Sequence, residues 1–239
     1  PTATASFTVS DTTVCVGGSL TFTNTSTASS GSPDSVRWTI LGGTPSTSNS
    51  ATTVTPTFNT AGTYVISLIA YKSGNASVAA TKSIRVKSLP TVSVTSPAIC
   101  SGKTAQPVAS GATSYTWTGG LSSVSNPVTP ALTTTTTYTV TGTKDGCTGT
   151  AVSTVTVNAT PSISVTSPVI CSGQTAQPVA SGTSTSYSWT GGLTSVLNPV
   201  TPALSTTTTY TVTGTLGTCT NTAVSTVTIN PKPTVTVTS

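Results

Sequence analysis

Reactive side chains are scarce in this chain of 239 residues. Its acidic residues are Asp11, Asp34 and Asp145, and it contains no histidine, glutamate or methionine. General acid–base and nucleophilic catalysis need a base close to a second polar group, and these carboxylates lie far apart in sequence. A calcium site takes about six to eight oxygen ligands, usually several of them carboxylates. We therefore predict no enzyme activity, no cofactor and no bound metal.

The five cysteines are the other residues that could do chemistry. With the tryptophans of the same region they run in the order Cys100, Trp117, Cys147 and then Cys171, Trp189, Cys219. One tryptophan between two cysteines, in about 70 residues, is typical of a compact immunoglobulin-like sandwich. The spacing predicts the disulfides Cys100–Cys147 and Cys171–Cys219, with free buried thiols as the alternative. Cys15 is predicted to be an unpaired thiol, either buried as a small apolar residue or linked to another chain.

Two long stretches of the chain repeat each other. PTVSVTSPAICSGKTAQPVASG from Pro90 returns as PSISVTSPVICSGQTAQPVASG from Pro161, and PTVTVTS from Pro233 begins the phrase again. Residues 1–89 do not match this repeat. The predicted domains are 1–89 (the first segment), 90–160 (the first repeat), 161–232 (the second repeat) and 233–239, the start of a further repeat. We expect the chain to be an internal piece of a longer secreted polypeptide.

Alternating side chains indicate that these domains are built from strands. Segments such as YTVTGT, STVTVN and YVISLIAY alternate apolar and polar residues, so one face of each can enter a core. Valine, isoleucine, threonine and tyrosine dominate them, as is usual in strands, and turn residues separate them. The predicted fold class is all-β, with three tandem immunoglobulin-like β-sandwich domains. Short proline-containing linkers favour a rod-like array.

Charge gives little support for a nucleic-acid or membrane partner. Charged residues make up 5% of the chain, and the net charge is +5. The eight basic residues are scattered, whereas nucleic-acid binding needs them clustered on one face. No apolar run is long enough to cross a bilayer. We therefore predict no nucleic-acid partner and no membrane span in this part of the chain.

Several motifs resemble known families. AICSG, SYTWTGG, PALTTTTTYTV and DGC in the first repeat resemble the immunoglobulin-like repeats of secreted and surface proteins of Bacteroidetes. The second repeat carries the same motifs, with Thr218 in place of the glycine before its last cysteine. The first segment is similar to a PKD domain through VCVGGSLTFTNTS, VRWTILGGTP and FNTAGTYVISL. In that family the stretch after the tryptophan usually reads more like DFGDG, whereas TILGG follows Trp38 here.

The resemblance implies an extracellular, cell-surface protein. Proteins that join such modules are similar to gliding-motility adhesins, surface filaments and spacer regions of exported enzymes, typically exported by the type IX route. We therefore expect a non-catalytic stalk or shaft of a bacterial adhesin or filament. Its partners would be neighbouring repeats of the same long chain, other copies in a filament, or a surface polysaccharide. The alternative is a carbohydrate- or protein-binding accessory module of a secreted enzyme, and a third possibility is self-assembly through an edge strand.

Two short motifs resemble the sites at which Bacteroidetes attach O-glycans. They are Asp11-Thr12-Thr13 and Asp34-Ser35-Val36. Thr12 and Ser35 are therefore candidates for O-glycosylation, with ordinary turn residues as the alternative.

Overall fold

The computed structural model describes residues 1–235 and is all-β over that range. It contains strands and turns but no helix within those residues, and so none that could cross a membrane. The predicted all-β fold class is confirmed. Residues 236–239, which include most of the predicted start of a further repeat, lie outside the described residues.

The first segment contains thirteen strands. They are β1 (Ala3–Thr4), β2 (Phe7–Val9), β3 (Thr13–Cys15), β4 (Phe22–Asn24), β5 (Thr27–Ala28), β6 (Ser35–Ile40), β7 (Gly43–Thr44), β8 (Thr47–Ser48), β9 (Thr53–Val54), β10 (Thr57–Phe58), β11 (Gly62–Lys72), β12 (Asn75–Ala76) and β13 (Ala80–Lys87).

The two repeats contain six strands each. In the first repeat these are β14 (Ser93–Val94), β15 (Ala98–Cys100), β16 (Ala109–Ser110), β17 (Ser114–Trp117), β18 (Thr136–Lys144) and β19 (Cys147–Asn158). In the second repeat they are β20 (Ile163–Val165), β21 (Val169–Cys171), β22 (Ala180–Gly182), β23 (Ser186–Trp189), β24 (Thr208–Leu216) and β25 (Cys219–Asn230).

The first segment is a sandwich of two main sheets. One sheet has the order β3-β13-β11-β6-β8, and the other has the order β2-β4-β9. Strand β6, with the sequence SVRWTI, alternates exposed and buried residues, so that Val36, Trp38 and Ile40 point into the core. They meet Phe7 and Phe22 from the second sheet. Successive side chains of a strand point to opposite faces of the sheet. The alternating apolar residues therefore meet in a core between the sheets, as the sequence predicts.

Each repeat has a smaller core beneath a four-stranded sheet. The sheet orders are β15-β19-β18-β17 and β21-β25-β24-β23. In the second repeat the core is formed by Ala176, Ala180, Trp189, Leu193, Tyr210, Val212 and Val227. Trp117 and Trp189 donate their indole N–H to the carbonyl oxygens of Val124 and Val196, each at 2.9 Å. A buried indole needs such a partner, which explains why the loop after each tryptophan folds back beside its ring.

The chain divides into two compact units. The first comprises Pro1–Val94, Ala109–Ser125 and Thr139–Ala151, and the second comprises Thr95–Val108, Asn126–Tyr138 and the chain from Val152 onward. The first segment thus lies in the first unit, the second repeat lies in the second unit, and the first repeat contributes to both. The domain boundaries at 89/90, 160/161 and 232/233 stay predictions.

Candidate functional site

Three turns with the sequence Cys-x-Gly share one local structure. We call Cys15–Gly17, Cys100–Gly102 and Cys171–Gly173 the C-x-G turns. Each cysteine ends a short strand that runs parallel to the last strand of its segment or repeat. The cysteines lie opposite Lys87, Asn158 and Asn230, respectively. Each C-x-G turn is therefore located where its segment or repeat ends.

The backbone hydrogen bonds of the three turns are the same. The residue after each cysteine donates its N–H to the carbonyl of the residue opposite the cysteine, at 2.9 to 3.1 Å. The residue three positions after the cysteine donates to the cysteine carbonyl, again at 2.9 to 3.1 Å. The glycine in between has a φ of 84°, 80° and 86° in the three turns. Only glycine adopts this left-handed conformation without strain, so the motif requires it.

The other two cysteines lie at the tips of long hairpins. We call Lys144–Cys147 and Leu216–Cys219 the hairpin tips. In the first, Asp145 and Gly146 have φ values of 52° and 81°, as in a type I′ turn. In the second, Leu216 pairs with Cys219, and Gly217 has a φ of 60°. Glycine at the first central position is characteristic of a type II′ turn, so Thr218 can replace the glycine without lengthening the hairpin.

A disulfide joins the first C-x-G turn to the first hairpin tip. Cys15 is bonded to Cys147, with 5.7 Å between their Cα atoms. Beside the bond, the Lys87 ammonium donates a hydrogen bond to the carbonyl oxygen of Asp145 at 2.8 Å. The Sγ of Cys15 lies 3.8 Å from the carbonyl oxygen of Gly146. The hairpin tip of the first repeat is therefore held covalently and by polar contacts against the end of the first segment.

The second disulfide repeats this arrangement one step further along the chain. Cys100 is bonded to Cys219, with 5.6 Å between their Cα atoms. The Sγ of Cys219 lies 4.0 Å from the carbonyl oxygen of Asn158. Cys219 is fully buried, whereas Cys171, in the remaining C-x-G turn, is a free and exposed thiol. The hairpin tip of the second repeat is thus attached to the end of the first repeat.

The predicted pairs Cys100–Cys147 and Cys171–Cys219 are therefore wrong, and Cys15 is not an unpaired thiol. In the second repeat, Cys171 lies opposite Asn230, the last residue of β25, while Cys219 is the first residue of that strand. Eleven residues of extended chain span about 36 Å. A disulfide allows no more than about 7 Å between Cα atoms. The two cysteines of one repeat lie at opposite ends of the same strand and cannot meet.

One sequence signal distinguishes the two kinds of cysteine. Cys15, Cys100 and Cys171 are each followed by a glycine two positions later, whereas Cys147 and Cys219 follow a turn that contains glycine. The chain thus has three cysteines followed by such a glycine and two cysteines that follow a turn. Because the numbers of the two kinds differ, the five cysteines cannot all pair within their own repeats. The motif VCVGG in the first segment has this signal, although the rest of that segment does not match the repeat.

Each of the three aspartates has a structural role. Asp11 accepts a hydrogen bond from the backbone N–H of Thr13 at 3.1 Å, and Asp145 forms part of a hairpin tip. The Asp34 carboxylate pairs with the Lys72 ammonium at 2.8 Å and accepts the backbone N–H of Ser73 at 2.7 Å. No group of three or more histidine, cysteine or acidic residues that could hold a metal ion occurs within residues 1–235.

The pKa of Asp34 should make a small part of the stability depend on pH. The hydrogen bond from the Lys72 ammonium lowers this pKa most. The hydrogen bond from the backbone N–H of Ser73 and the positive charge of Lys72 lower it further, so that it lies below its ordinary value. Because the folded chain favours the ionised form, the stabilisation is present at neutral pH and is lost as the pH falls through the lowered pKa, below about 4. We expect Asp34→Asn to lower the melting temperature by a few degrees at most at pH 7. The difference from the natural chain should vanish at low pH. Thermal unfolding followed by circular dichroism from pH 2 to 7 checks this.

Lys72→Gln is the matched variant for this prediction. It should cause a similar pH-dependent loss, and the double variant should lose little more than either single variant, because both remove the same pair. A difference between Asp34→Asn and the natural chain that persists unchanged at pH 2 would contradict the electrostatic origin of the effect.

The tryptophans and the candidate glycosylation residues lie in different surroundings. Trp38 is fully buried, and Trp117 and Trp189 are each 9% exposed. These rings belong to the cores and are not available to stack on a sugar. Thr12 and Ser35 are both exposed, and their O-glycosylation stays a prediction.

Comparison with known proteins identifies one family over part of the chain. Residues 4–86 match the PKD domain family. The first segment is therefore similar to that family over nearly its whole length. No curated protein matches the chain. The match to this family and the two disulfides are consistent with an extracellular location, because disulfides persist in oxidising compartments.

Solved structures of several multidomain proteins also resemble the chain. An I-band fragment of titin is 12% identical over 95% of this chain and 98% of its own, with a TM-score of 0.42. The three N-terminal domains of the Highly Immunogenic Outer Capsid protein of bacteriophage RB49 are 14% identical, over 97% of this chain and 100% of theirs, with a TM-score of 0.38. The N-terminal eight domains of Down Syndrome Cell Adhesion Molecule are 14% identical, over 96% of this chain and 35% of that one, with a TM-score of 0.35. At these scores the likeness says nothing about function.

Proposed function

We propose that this chain is a non-catalytic structural segment of a bacterial extracellular adhesin or filament, in which tandem domains form a stalk or shaft. The observation that carries the proposal is the pair of disulfides that join the first and second C-x-G turns to the hairpin tip of the repeat that follows each of them. A disulfide inside one domain stabilises that domain alone. A disulfide between consecutive segments adds a second covalent connection beside the linker, which suits a chain that transmits tension.

The composition supports an extracellular location for this segment. Disulfides form and persist in oxidising compartments and are rare in the cytosol. Only 5% of the residues are charged, and exposed threonine and serine provide most of the polar surface. The resemblance to Bacteroidetes repeats supports export by the type IX route to the cell surface. Within that function, the partners would be the neighbouring repeats, with other copies in a filament or a surface polysaccharide as further candidates.

Labelling of intact source cells tests this function. Antibodies raised against the 239-residue chain should label the outer surface, or filaments that extend from it, in immunogold electron microscopy of cells that have not been permeabilised. A strain in which the encoding segment is deleted in frame should lose the label and should detach from a surface at lower shear. Label that appears only after permeabilisation would contradict the proposal. An antibody against a cytosolic protein serves as the control for cell integrity.

A further inference from the structure

The C-x-G turn of the second repeat has the structure of a docking site whose occupant is missing. Cys171 lies at the same register position as Cys15 and Cys100, both of which are bonded to a hairpin tip. Its turn makes the same backbone hydrogen bonds, at 2.8 to 3.1 Å, as that of Cys100. The geometry that receives a hairpin tip twice in this chain is therefore present a third time.

Exposure distinguishes the third turn from its counterpart in the first repeat. Cys171 is exposed where Cys100 is half-buried, and Asn230 is exposed where Asn158 is half-buried. In the first repeat these residues are covered by the hairpin tip that carries Cys219. No part of residues 1–235 covers Cys171 and Asn230 in this way, although the residues around them are nearly the same in the two repeats.

We infer that Cys171 forms a disulfide with the hairpin-tip cysteine of a further repeat that begins at Pro233. The linkers have the same length, because Asn158 precedes Pro161 by the same number of residues as Asn230 precedes Pro233. PTVTVTS from Pro233 repeats the opening of both earlier repeats. The two known hairpin-tip cysteines, Cys147 and Cys219, are 72 residues apart. The partner cysteine is therefore expected about 72 residues beyond Cys219, after a glycine-containing two-residue turn.

The chemistry of the bond is a thiol–disulfide exchange. An oxidised extracytoplasmic thiol–disulfide oxidoreductase supplies the disulfide. The thiolate of one cysteine attacks a sulfur of that disulfide, and a mixed disulfide forms while one thiolate of the oxidoreductase leaves. The thiolate of the second cysteine then attacks the mixed disulfide, which closes the bond and releases the oxidoreductase with two thiols. Two thiols of the repeat chain are oxidised, and one disulfide of the oxidoreductase is reduced.

Disulfide mapping of the parent protein tests this inference. The protein is purified from its source, alkylated with N-ethylmaleimide and digested without reduction. Thermolysin is needed, because the few lysines and arginines leave Cys147, Cys171 and Cys219 on one tryptic fragment that begins at Asp145, since Lys232 is followed by proline. The expected product is a peptide containing Cys171 linked to a peptide from the following repeat. Cys171 that carries N-ethylmaleimide, or that is linked to Cys171 of a second copy, would overturn the inference.

Two variants keep the test independent of folding and of the proposed function. Serine at the hairpin-tip cysteine of the following repeat should make Cys171 fully reactive with N-ethylmaleimide, while the Cys100–Cys219 peptide remains unchanged. In the 239-residue chain, one thiol should react without denaturant, and Cys171→Ser should reduce this titre to zero. These readouts measure bond connectivity. A failure of the surface labelling would therefore not change the thiol and disulfide results. Conversely, an overturned disulfide assignment would not contradict the proposed surface location.

Discussion

Reduction of the two disulfides is expected to lengthen the fully extended chain by about 530 Å when it is pulled from its two ends. In the reduced chain, 204 residues separate Cys15 from Cys219. In the oxidised chain, the shortest covalent path between them runs through both disulfides and the 47 residues from Cys147 back to Cys100. Single-molecule force spectroscopy with and without a reductant measures the difference as a change in contour length.

The pairing predicted from the sequence gives a different length. Disulfides Cys100–Cys147 and Cys171–Cys219 would hide loops of 47 and 48 residues, and reduction would release only about 320 Å. Cys171→Ser is the matched control, because the structure places this residue outside both bonds and the variant should leave the increment unchanged. An increment near 320 Å, or one abolished by Cys171→Ser, would overturn the observed connectivity.

The strands and cores follow from the sequence because each depends on neighbouring residues. The segment YVISLIAY alternates in type and forms part of β11, whose residues Ile66, Leu68 and Ala70 are fully buried. Trp38 lies in a core because burial removes the large apolar surface of its indole from water, while its N–H donates to a nearby carbonyl. The turns were also readable, since Asp145-Gly146 is a strong signal for a type I′ hairpin.

The disulfide connectivity could not be obtained from spacing alone. The immunoglobulin pattern assumes two cysteines that face each other across the sandwich. Here one cysteine ends a short edge strand and the other begins the last strand, and the two are separated by the length of that strand. The position at which the edge strand pairs with its neighbour decides which end it reaches, and cysteine spacing does not encode that register. The resemblance among the C-x-G motifs was the available signal, since equivalent cysteines should have equivalent partners.

Replacement of Trp38 by alanine is expected to destabilise the first segment by about 3–5 kcal/mol. The side chain is fully buried. Its ring centroid lies 5.2 Å from that of Phe7 and 6.4 Å from that of Phe22. Its indole N–H donates to the carbonyl of Ser50 at 3.0 Å. The variant would open a cavity between the two sheets and leave that carbonyl without its partner, which adds to the loss.

Hydrogen exchange is the suitable measurement, because the disulfides link several segments and a single unfolding curve would mix their contributions. Amides of β6 and β11 should lose about 150- to 5000-fold of their protection, while amides of β24 and β25 should keep theirs. Val78→Ala is the control, since this side chain is 91% exposed and its loss should change protection little. If β24 and β25 lost protection together with β6 and β11, the first segment and the second repeat would unfold as one cooperative unit. If the two variants behaved alike, Trp38 would not hold the two sheets together.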